Sequence, residues 1–221
     1  RRHSFPTRRS SDLGFETGPN NWTPSTSAHW EWGTPVGKTQ ITTAGGGNSC
    51  WIAGGLSGSN YNSGTSELIS PCFNLSSLTY PEISFKSFWE TELSYDGVML
   101  QYSTDGGATW NTLGTANSDD PCLGIENWFN YSPVNFLSGN PGWSGNIQNG
   151  GPPCLYGQGS GQWKTSRHNL SNLTGQTNVI FKFVFGADLL QHLKLLNVRD
   201  RGQFVNGLEK RLFFVFGKRR L

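Results

Sequence analysis

Charged residues are scarce in this sequence, and other common features are missing as well. Only 14% of the 221 residues are Asp, Glu, Lys or Arg, against about a quarter in typical soluble domains. There is one methionine, and no apolar run approaches the roughly 18 residues that a membrane-spanning helix needs. Ala, Leu, Glu and Lys do not dominate as they do in coiled coils and helical bundles. The sequence therefore excludes a long helical architecture and predicts no membrane span.

Glycine and aromatic residues are abundant instead. The chain has 29 Gly, 9 Trp and 14 Phe, and aromatic residues make up 13% of it. Because aromatic side chains supply surface that can be buried in a core, the low charge does not indicate disorder. A chain of this length fits one β domain or two small ones.

The net charge of +2 conceals an uneven distribution along the chain. Residues 14–188 carry five basic and twelve acidic residues, a net charge of −7, and hold every Trp and Cys. Residues 1–13 carry four Arg and one Asp, and residues 189–221 carry eight basic and two acidic residues. The pattern predicts a body over 14–188 between two basic ends, and it disfavours nucleic-acid binding by the body.

The two ends differ in composition from the body and from each other. Residues 3–13 (HSFPTRRSSDL) resemble the translation of a sequencing-adapter oligonucleotide, which implies a non-native leader over residues 1–13 that is excluded from fold reasoning. Residues 189–221 begin with a pattern typical of a short helix and end with one typical of a short strand. We interpret this basic tail as foreign or frame-shifted sequence, with anion or membrane binding as the alternative.

Alternating apolar and polar residues recur through the body between Gly-, Ser-, Asn- and Pro-rich loops. These patterns predict strands over residues 68–70, 82–90, 97–103, 163–169 and 179–185. The body shows no twelve-residue helical stripe. Many short strands separated by turn signals are typical of an all-β sandwich or barrel.

A long loop over residues 116–161 interrupts the strand pattern. Loops of this length are uncommon in compact domains unless they are functional or cross-linked, so we expect a folded excursion over one face of a sheet. It carries Trp128 and Trp143, and Trp51 stands beside another Gly-rich turn. Exposed tryptophans suit stacking on sugars or anchoring of proteins, so these three are the ligand-binding candidates, with a core position as the alternative.

The four cysteines form no Cys-x-x-Cys pair, and no His lies at zinc spacing. Three disulfide pairings are possible from sequence alone. The sequential pairing, Cys50 with Cys72 and Cys122 with Cys154, is favoured, and four buried free thiols are the alternative. An even number of cysteines in such a composition predicts an extracellular or periplasmic location.

The motif Ser-Thr-Asp-Gly-Gly-Ala-Thr-Trp directly follows the strand predicted over residues 97–103. It looks like an Asp-box, a turn motif repeated in the propellers of sialidases. Only one copy is present, and a propeller needs several blades and a longer chain. We therefore predict a structural hairpin turn in which the Asp105 carboxylate accepts backbone N–H groups, Gly107 supplies the turn conformation, and Trp110 packs back.

Acidic residues cluster before that strand. Glu90, Glu92 and Asp96 lie in the string WETELSYDG. They can be solvated loop charges, oxygen ligands for calcium, or a carboxylate pair for glycoside hydrolysis. The sequence alone leaves these three interpretations open.

Several strings in the body, taken in order, resemble one family. They are GFETGPNNWT, HWEWGTPVG, SELISPCFNLSSL, PEISFKSFWETELSYDGVMLQYSTDGGATW and VIFKFVFGAD. The family is the MAM-like, concanavalin-A-like jelly-roll module of large secreted proteins of Bacteroidetes-type bacteria, associated with gliding motility and type IX secretion. The resemblance implies a jelly-roll β-sandwich of two antiparallel sheets.

The same resemblance implies a structural calcium ion, bound through a Glu of the first strand and an acidic residue of the last. Glu16 matches the first of these positions, and Asp96 and Asp188 are the other metal-ligand candidates. From residue 189 onward the sequence matches nothing in the family, which predicts that the last strand is missing.

The function expected from these patterns is a non-catalytic module of a larger secreted or cell-surface bacterial protein. We expect it to bind a cell-surface glycan or protein and not nucleic acid. A structural calcium ion is its one expected cofactor. The alternatives are an accessory or spacer domain of a secreted peptidase, and a glycosidase or sialidase fragment that uses Glu90, Glu92 or Asp96.

Overall fold

The computed structural model describes residues 14–25, 30–36, 38, 40–57, 64–116, 127–146 and 158–188. The leader, the basic tail and the cysteines Cys122 and Cys154 lie outside the described residues. So do the helix and the strand expected after residue 188.

Short β-strands make up the regular structure of the described residues, and the only helical segments there are two 3₁₀ turns, Asn135–Leu137 and Ser171–Leu173. In chain order the strands are β1 (Thr23–Pro24), β2 (Trp30–Gly33), β3 (Cys50–Ala53), β4 (Gly64–Ile69), β5 (Glu82–Ser87), β6 (Gly97–Ser103), β7 (Asn111–Thr112), β8 (Lys164–Asn169) and β9 (Ile180–Ala187).

In the part of the chain that the structure describes, all the strand pairs are antiparallel, and the ladders form three sheets. The largest sheet has the order β1-β4-β9-β6-β7, so that β9 is its central strand. The other two are the pairs β2-β3 and β5-β8. The predicted all-β sandwich of antiparallel strands is confirmed, and the strands outside the large sheet divide into two separate ladders.

The alternating pattern of the sequence creates the core between the large sheet and the β5-β8 pair. In β6, Val98 and Leu100 lie opposite Phe185 and Phe183 of β9, and all four side chains are buried. Phe85 of β5 faces them, with its ring 5.3 Å from that of Phe183 in an edge-to-face arrangement. Period-two alternation places these side chains on one face of each strand, which is why the two layers bury a common aromatic and aliphatic core.

The other side of the large sheet is also covered near one end. Gly186 of β9 pairs with Gly97 of β6, and a Cβ added at Gly186 would lie 2.1 Å from the carbonyl oxygen of Phe136. The 3₁₀ turn Asn135–Leu137 therefore lies directly against the backbone of β9. This close approach fixes the turn beside the end of the sheet where the candidate site is found.

The five predicted strands are present among the described residues, β6 with the predicted ends and the others with shifted ends, and four strands were not predicted. The missed strands are the two-residue β1 and β7 and the pair β2 and β3, each four residues long. Every residue of β3 is buried, so it shows no alternation. No helix among the described residues is long and apolar enough to cross a bilayer.

Candidate functional site

Three carboxylates meet at one end of the large sheet. Glu92 and Asp96 lie in the turn between β5 and β6, and Asp188 directly follows β9. Because β6 and β9 are antiparallel and Gly97 pairs with Gly186, the residue before β6 and the residue after β9 reach the same edge. Topology thus brings together side chains that are far apart in sequence.

The carboxylates are close and mostly buried. One oxygen from each of the three residues lies within 4.8 Å of the others. Asp96 is 2% exposed and Asp188 is 4% exposed, whereas Glu92 is half-buried. The backbone N–H of Asp188 donates to Asp96 Oδ1 at 3.0 Å, which ties the end of β9 to the turn.

The turn that carries Glu92 and Asp96 is closed by its own backbone and by one serine. Asp96 N–H donates to the carbonyl of Glu92 at 3.0 Å. Ser144 Oγ donates to the Asp96 carbonyl at 2.7 Å and accepts from Ser94 N–H at 3.1 Å. Ser94 itself has a left-handed backbone with φ 66°, a conformation that is uncommon outside glycine and that these bonds help to hold.

Buried hydrogen bonds from Asn130 and Thr91 hold Ser144 and the residues around it in place. Asn130 accepts from Ser144 N–H and donates to the Ser144 carbonyl, both at 2.9 Å. Thr91 Oγ1 donates to the Asp96 carbonyl at 3.1 Å and accepts from Gly145 N–H at 2.9 Å. The segment around residues 130–145 therefore sets the shape of the carboxylate turn, since buried hydrogen bonds of this kind are costly to break.

The donor set of this site consists of oxygen atoms. Three carboxylates that share a small volume repel one another when ionised, and a divalent cation offsets that repulsion. Calcium takes oxygen ligands, whereas zinc and copper sites normally include Cys or His. The cluster therefore fits a hard divalent cation. It fits a sugar ring poorly, because Asp96 and Asp188 are almost fully covered.

The sequence predicts Asp96 and Asp188 as metal ligands together with Glu16, and it gives calcium binding as one of three interpretations of Glu92. The structure brings Glu92, Asp96 and Asp188 together, and their role as metal ligands stays a prediction. The signal for Glu92 is its position four residues before Asp96, a separation that a single closed turn brings together.

Glu16, the first-strand calcium candidate, has another role. Its carboxylate accepts from the backbone N–H groups of Asn48 and Ser49, at 2.9 and 3.1 Å. These bonds hold the pKa of Glu16 below its ordinary value. Gly47 has φ 80°, and a Cβ there would lie 2.2 Å from Glu16 Oε1. Glu16 therefore caps the Gly-rich turn before β3 and is not one of the three clustered carboxylates, so the structure does not place it with the other two metal-ligand candidates.

The three tryptophans proposed as ligand contacts are core residues. Trp128 and Trp143 are fully buried, with ring centres 5.1 Å apart. Their indole N–H groups donate to the carbonyls of Leu113 and Asn127. Trp51 of β3 is buried as well. The structure therefore contradicts the ligand-binding prediction for all three, because the excursion uses Trp128 and Trp143 to fill the sandwich and β3 buries Trp51.

The expected disulfide between Cys50 and Cys72 is absent. Both residues are free thiols. Cys50 is buried in a small cluster with Ile41, Ile52 and Phe88, and burial raises the pKa of its thiol to about 12. Cys72 is exposed, with Sγ 2.7 Å from Asn178 Oδ1. The pairing was wrong because one thiol lies inside the protein and the other on its surface.

The Asp-box-like segment forms a hydrogen-bonded hairpin turn between β6 and β7. Asp105 Oδ1 accepts from Ser103 Oγ at 2.7 Å and from Thr109 N–H at 3.0 Å. Gly107 has φ 94°, and Trp110 lies 4.3 Å from Lys182 Nζ in a cation–π contact. The hydrogen bonds from Thr109 and Ser103 hold the pKa of Asp105 far below its ordinary value. The Asp105 carboxylate is thus hydrogen-bonded within the turn, as predicted for a structural hairpin.

Two exposed aromatic residues lie next to the carboxylate cluster, and sequence reasoning did not single them out. Tyr95 directly precedes Asp96, and its carbonyl accepts from Phe136 N–H at 3.0 Å. Tyr95 is 38% exposed and Phe136 is 39% exposed. No sequence signal marked them, because Phe136 belongs to a loop and Tyr95 to a turn without periodicity.

Comparisons with known proteins give only weak structural likeness. No protein-family model matches the chain, and no curated protein matches it. A solved structure that is similar is the K1 cleaved adhesin domain of Lys-gingipain from Porphyromonas gingivalis W83, at 13% identity and a TM-score of 0.38. The match covers 80% of this chain and 97% of that chain.

Proposed function

We propose that residues 14–188 form a non-catalytic, calcium-binding module that acts in adhesion outside the cell. The observation that carries the proposal is the cluster of Glu92, Asp96 and Asp188 at one end of an all-β sandwich, in which Asp96 and Asp188 are buried. The MAM-like sequence resemblance supports a secreted or cell-surface location and a place within a larger bacterial protein. Its partner is then a cell-surface glycan or protein.

Calcium is the cation that suits this site best. It takes about six to eight oxygen ligands at about 2.3–2.6 Å and tolerates irregular geometry. Glu92, Asp96 and Asp188 would hold it, and water would supply the remaining ligands. The bound charge would offset the repulsion among the carboxylates and fasten the end of β9 to the turn before β6. Calcium in this position is structural and takes part in no reaction.

Terbium luminescence tests the cation site directly. Tb³⁺ occupies calcium sites and emits when a nearby aromatic side chain is excited, and Tyr95 is adjacent to Asp96 in the chain. We expect saturable emission from the full chain that calcium displaces. Asp96→Asn, Asp188→Asn and Glu92→Gln should each weaken affinity at least about tenfold, since even outer-shell changes cost that much at metal sites.

Two matched variants serve as controls for the cation site. Glu16→Gln removes the carboxylate that caps the turn at Asn48 and Ser49, and Glu82→Gln removes an exposed one at the start of β5. Both should leave the affinity for Tb³⁺ unchanged. Loss of affinity only in Glu16→Gln, or no saturable emission from the full chain, would contradict the proposed site.

Adhesion is tested with surfaces and cells. Beads coated with the full chain should attach to bacterial or host cell surfaces in the presence of calcium and detach with a chelator. Attachment to no surface would instead support a spacer or accessory domain of a secreted peptidase. Hydrolysis of a chromogenic glycoside that Glu92→Gln abolishes would overturn the non-catalytic assignment.

A further inference from the structure

We infer that one face of the β5-β8 ladder binds an acidic saccharide through Arg167 and Lys86. The inference rests on the proposed function, because it names the ligand class that the adhesion module would take. It starts from the distribution of positive charge. Residues 14–188 contain five basic residues, of which two, Lys38 and Lys182, are buried. The other three all belong to β5 or β8, and they are Lys86, Lys164 and Arg167.

The register of the ladder determines which face each side chain occupies. Phe85 pairs with Ser166, and both are buried. Side chains alternate between the two faces along a strand, and directly paired residues share a face. The face opposite Phe85, called here the outer face, therefore carries the next pairs on either side, which are Lys86 with Thr165 and Ser84 with Arg167.

Side-chain contacts hold Lys86 in position on the outer face. Its Nζ donates to Thr165 Oγ1 across the ladder at 2.7 Å. A Cβ added at Gly45 would lie 2.8 Å from Lys86 Cβ, so the lysine stem packs against the Gly-rich turn before β3. The bond to Thr165 uses one of the three N–H donors of the ammonium group, and no other described residue accepts from it. Lys86 is thus a fixed positive charge with donors left for a ligand.

Arg167 also has a donor that the described residues leave open. Its Nε is buried and has no hydrogen-bond partner among them, and a buried donor without an acceptor costs stability. A carboxylate or sulfate that accepted from the guanidinium group would recover this loss. The two oxygens of such a group match the planar fork of guanidinium N–H donors. The open donor therefore favours an anionic ligand.

One carboxylate shares the outer face without neutralising the arginine. Glu82 pairs with Asn169 at the exposed end of the ladder, and no ion pair joins Glu82 to Arg167 within the described part of the chain. The face keeps a net positive charge, although the body as a whole carries −7. Because charges more than about 8 Å apart are largely screened at physiological salt, the local charge selects the ligand.

The remaining side chains of the outer face favour a saccharide over a protein. The six residues that the register places there are all polar, and they are Glu82, Ser84, Lys86, Thr165, Arg167 and Asn169. Protein interfaces depend on aromatic or aliphatic anchors at their centre, and none of these six positions supplies one. A uronate or sulfated sugar offers an anion to the two cations and hydroxyl groups to the serine, threonine and asparagine.

The test uses the labelled full chain on a printed array with calcium present. The array carries uronate-rich, sulfated and sialylated glycans, neutral glucans and mannans, and a Glu-rich peptide. We expect binding to at least one acidic glycan, and added salt should weaken it. Arg167→Gln and Lys86→Gln should each weaken binding at least about tenfold, as loss of a hydrogen bond to a charged group does. Glu82→Gln removes the carboxylate of the face and should strengthen binding.

Lys164→Gln is the matched control for charge. It removes one positive charge from the same ladder, but Lys164 pairs with Ser87, so the register places it on the face of Phe85 and Ser166. This variant should bind as the wild type does. Arg167→Lys keeps the charge without the planar fork and should lose part of the affinity, which keeps the test valid if Arg167→Gln fails to fold.

The inference is overturned by equal loss in Lys164→Gln, by binding only to neutral glycans or to the peptide, or by no binding to any acidic glycan. Attachment of coated beads to cells that persists in excess soluble acidic glycan would leave the adhesion role intact and overturn this inference alone. Terbium binding on the same samples separates these outcomes from failure of the cation site.

Discussion

At the scale of single residues, the role of a carboxylate in this protein depends on the hydrogen-bond donors around it. Glu16 and Asp105 both accept backbone N–H groups within turns, and both have pKa values below the ordinary range. Asp96 accepts the N–H of Asp188 and lies close to two further carboxylates. Glu16 and Asp105 thus act as caps within turns, whereas Asp96 belongs to the group that we propose as a cation site.

The pKa of Asp105 predicts how the hairpin responds to acid. Because the folded state holds this pKa below the ordinary value of about 3.9, the unfolded chain takes up a proton first as the pH falls. Stability that is present near neutral pH is therefore lost below about pH 4. Asp105→Asn should lower the melting temperature at pH 7. As the pH falls, the variant should then lose less further stability than the wild type.

Urea unfolding from pH 7 down to pH 2 measures this effect. Thr109→Ala, which removes one of the donors to Asp105 Oδ2, should give an intermediate result. Identical pH profiles for the wild type and Asp105→Asn would show that the turn does not depend on this carboxylate.

The two described cysteines should differ in reactivity. Cys72 is exposed, whereas Cys50 is buried and its pKa is raised to about 12. Because the thiolate is the reactive form, iodoacetamide should label Cys72 in the native protein and label Cys50 only after unfolding. Peptide mass spectrometry reads both sites. Recovery of a Cys50–Cys72 linked peptide from a non-reducing digest would restore the original disulfide prediction.

At the scale of elements, the pairing of Gly97 with Gly186 lets the 3₁₀ turn at Asn135–Leu137 touch the sheet. Gly186→Ala would place a Cβ 2.1 Å from the Phe136 carbonyl oxygen, where the obstacle is backbone and not a flexible side chain. Overpacking of this kind costs about 1–3 kcal/mol, and we expect the upper end of that range together with weaker Tb³⁺ binding.

The matched control for the glycine change is Ser66→Ala in β4. Ser66 is fully buried, and its hydroxyl has no hydrogen-bond partner, so its removal should be neutral or stabilising by about 1 kcal/mol. Chemical denaturation of both variants measures the two effects. A Gly186→Ala protein as stable as wild type would mean that the turn moves freely on the sheet.

The strands show how far sequence reasoning reaches at this scale. Alternation located β6 and β9, because Val98, Leu100, Phe183 and Phe185 face one core. The alternation did not predict β3, because all four residues of Cys50–Ala53 are buried and apolar and polar residues do not alternate there. Asp96 and Asp188 meet because β6 pairs with β9 in a particular register. Local sequence patterns do not predict which distant strands pair.

At the scale of the whole molecule, the excursion between β7 and β8 is part of the core. Trp128 and Trp143 come from this loop, yet their rings pack against Phe85 from the β5-β8 pair, at 5.9 and 5.8 Å. The length of the loop predicts a folded excursion over one face of a sheet, and the sequence leaves both a ligand-binding and a core position open for its tryptophans. Composition does not reveal that two of its side chains complete the sandwich.

Removal of one of these rings should therefore affect global stability. Trp143→Ala deletes a fully buried side chain, a change that typically costs about 3–5 kcal/mol. Tyr80→Ala, on an exposed side chain, should change stability by less than about 0.5 kcal/mol. Equilibrium unfolding compares the two variants, and equal values would indicate that the excursion is not part of the folded core.

The central position of β9 has a mechanical consequence. This strand is hydrogen-bonded on both sides, to β4 and to β6, and the amide of Asp188 directly after it is bonded to Asp96. A force applied at residue 188 along the strand axis acts across hydrogen bonds that lie perpendicular to that axis. Both ladders then carry the load in shear, so that they must yield together and not one bond at a time.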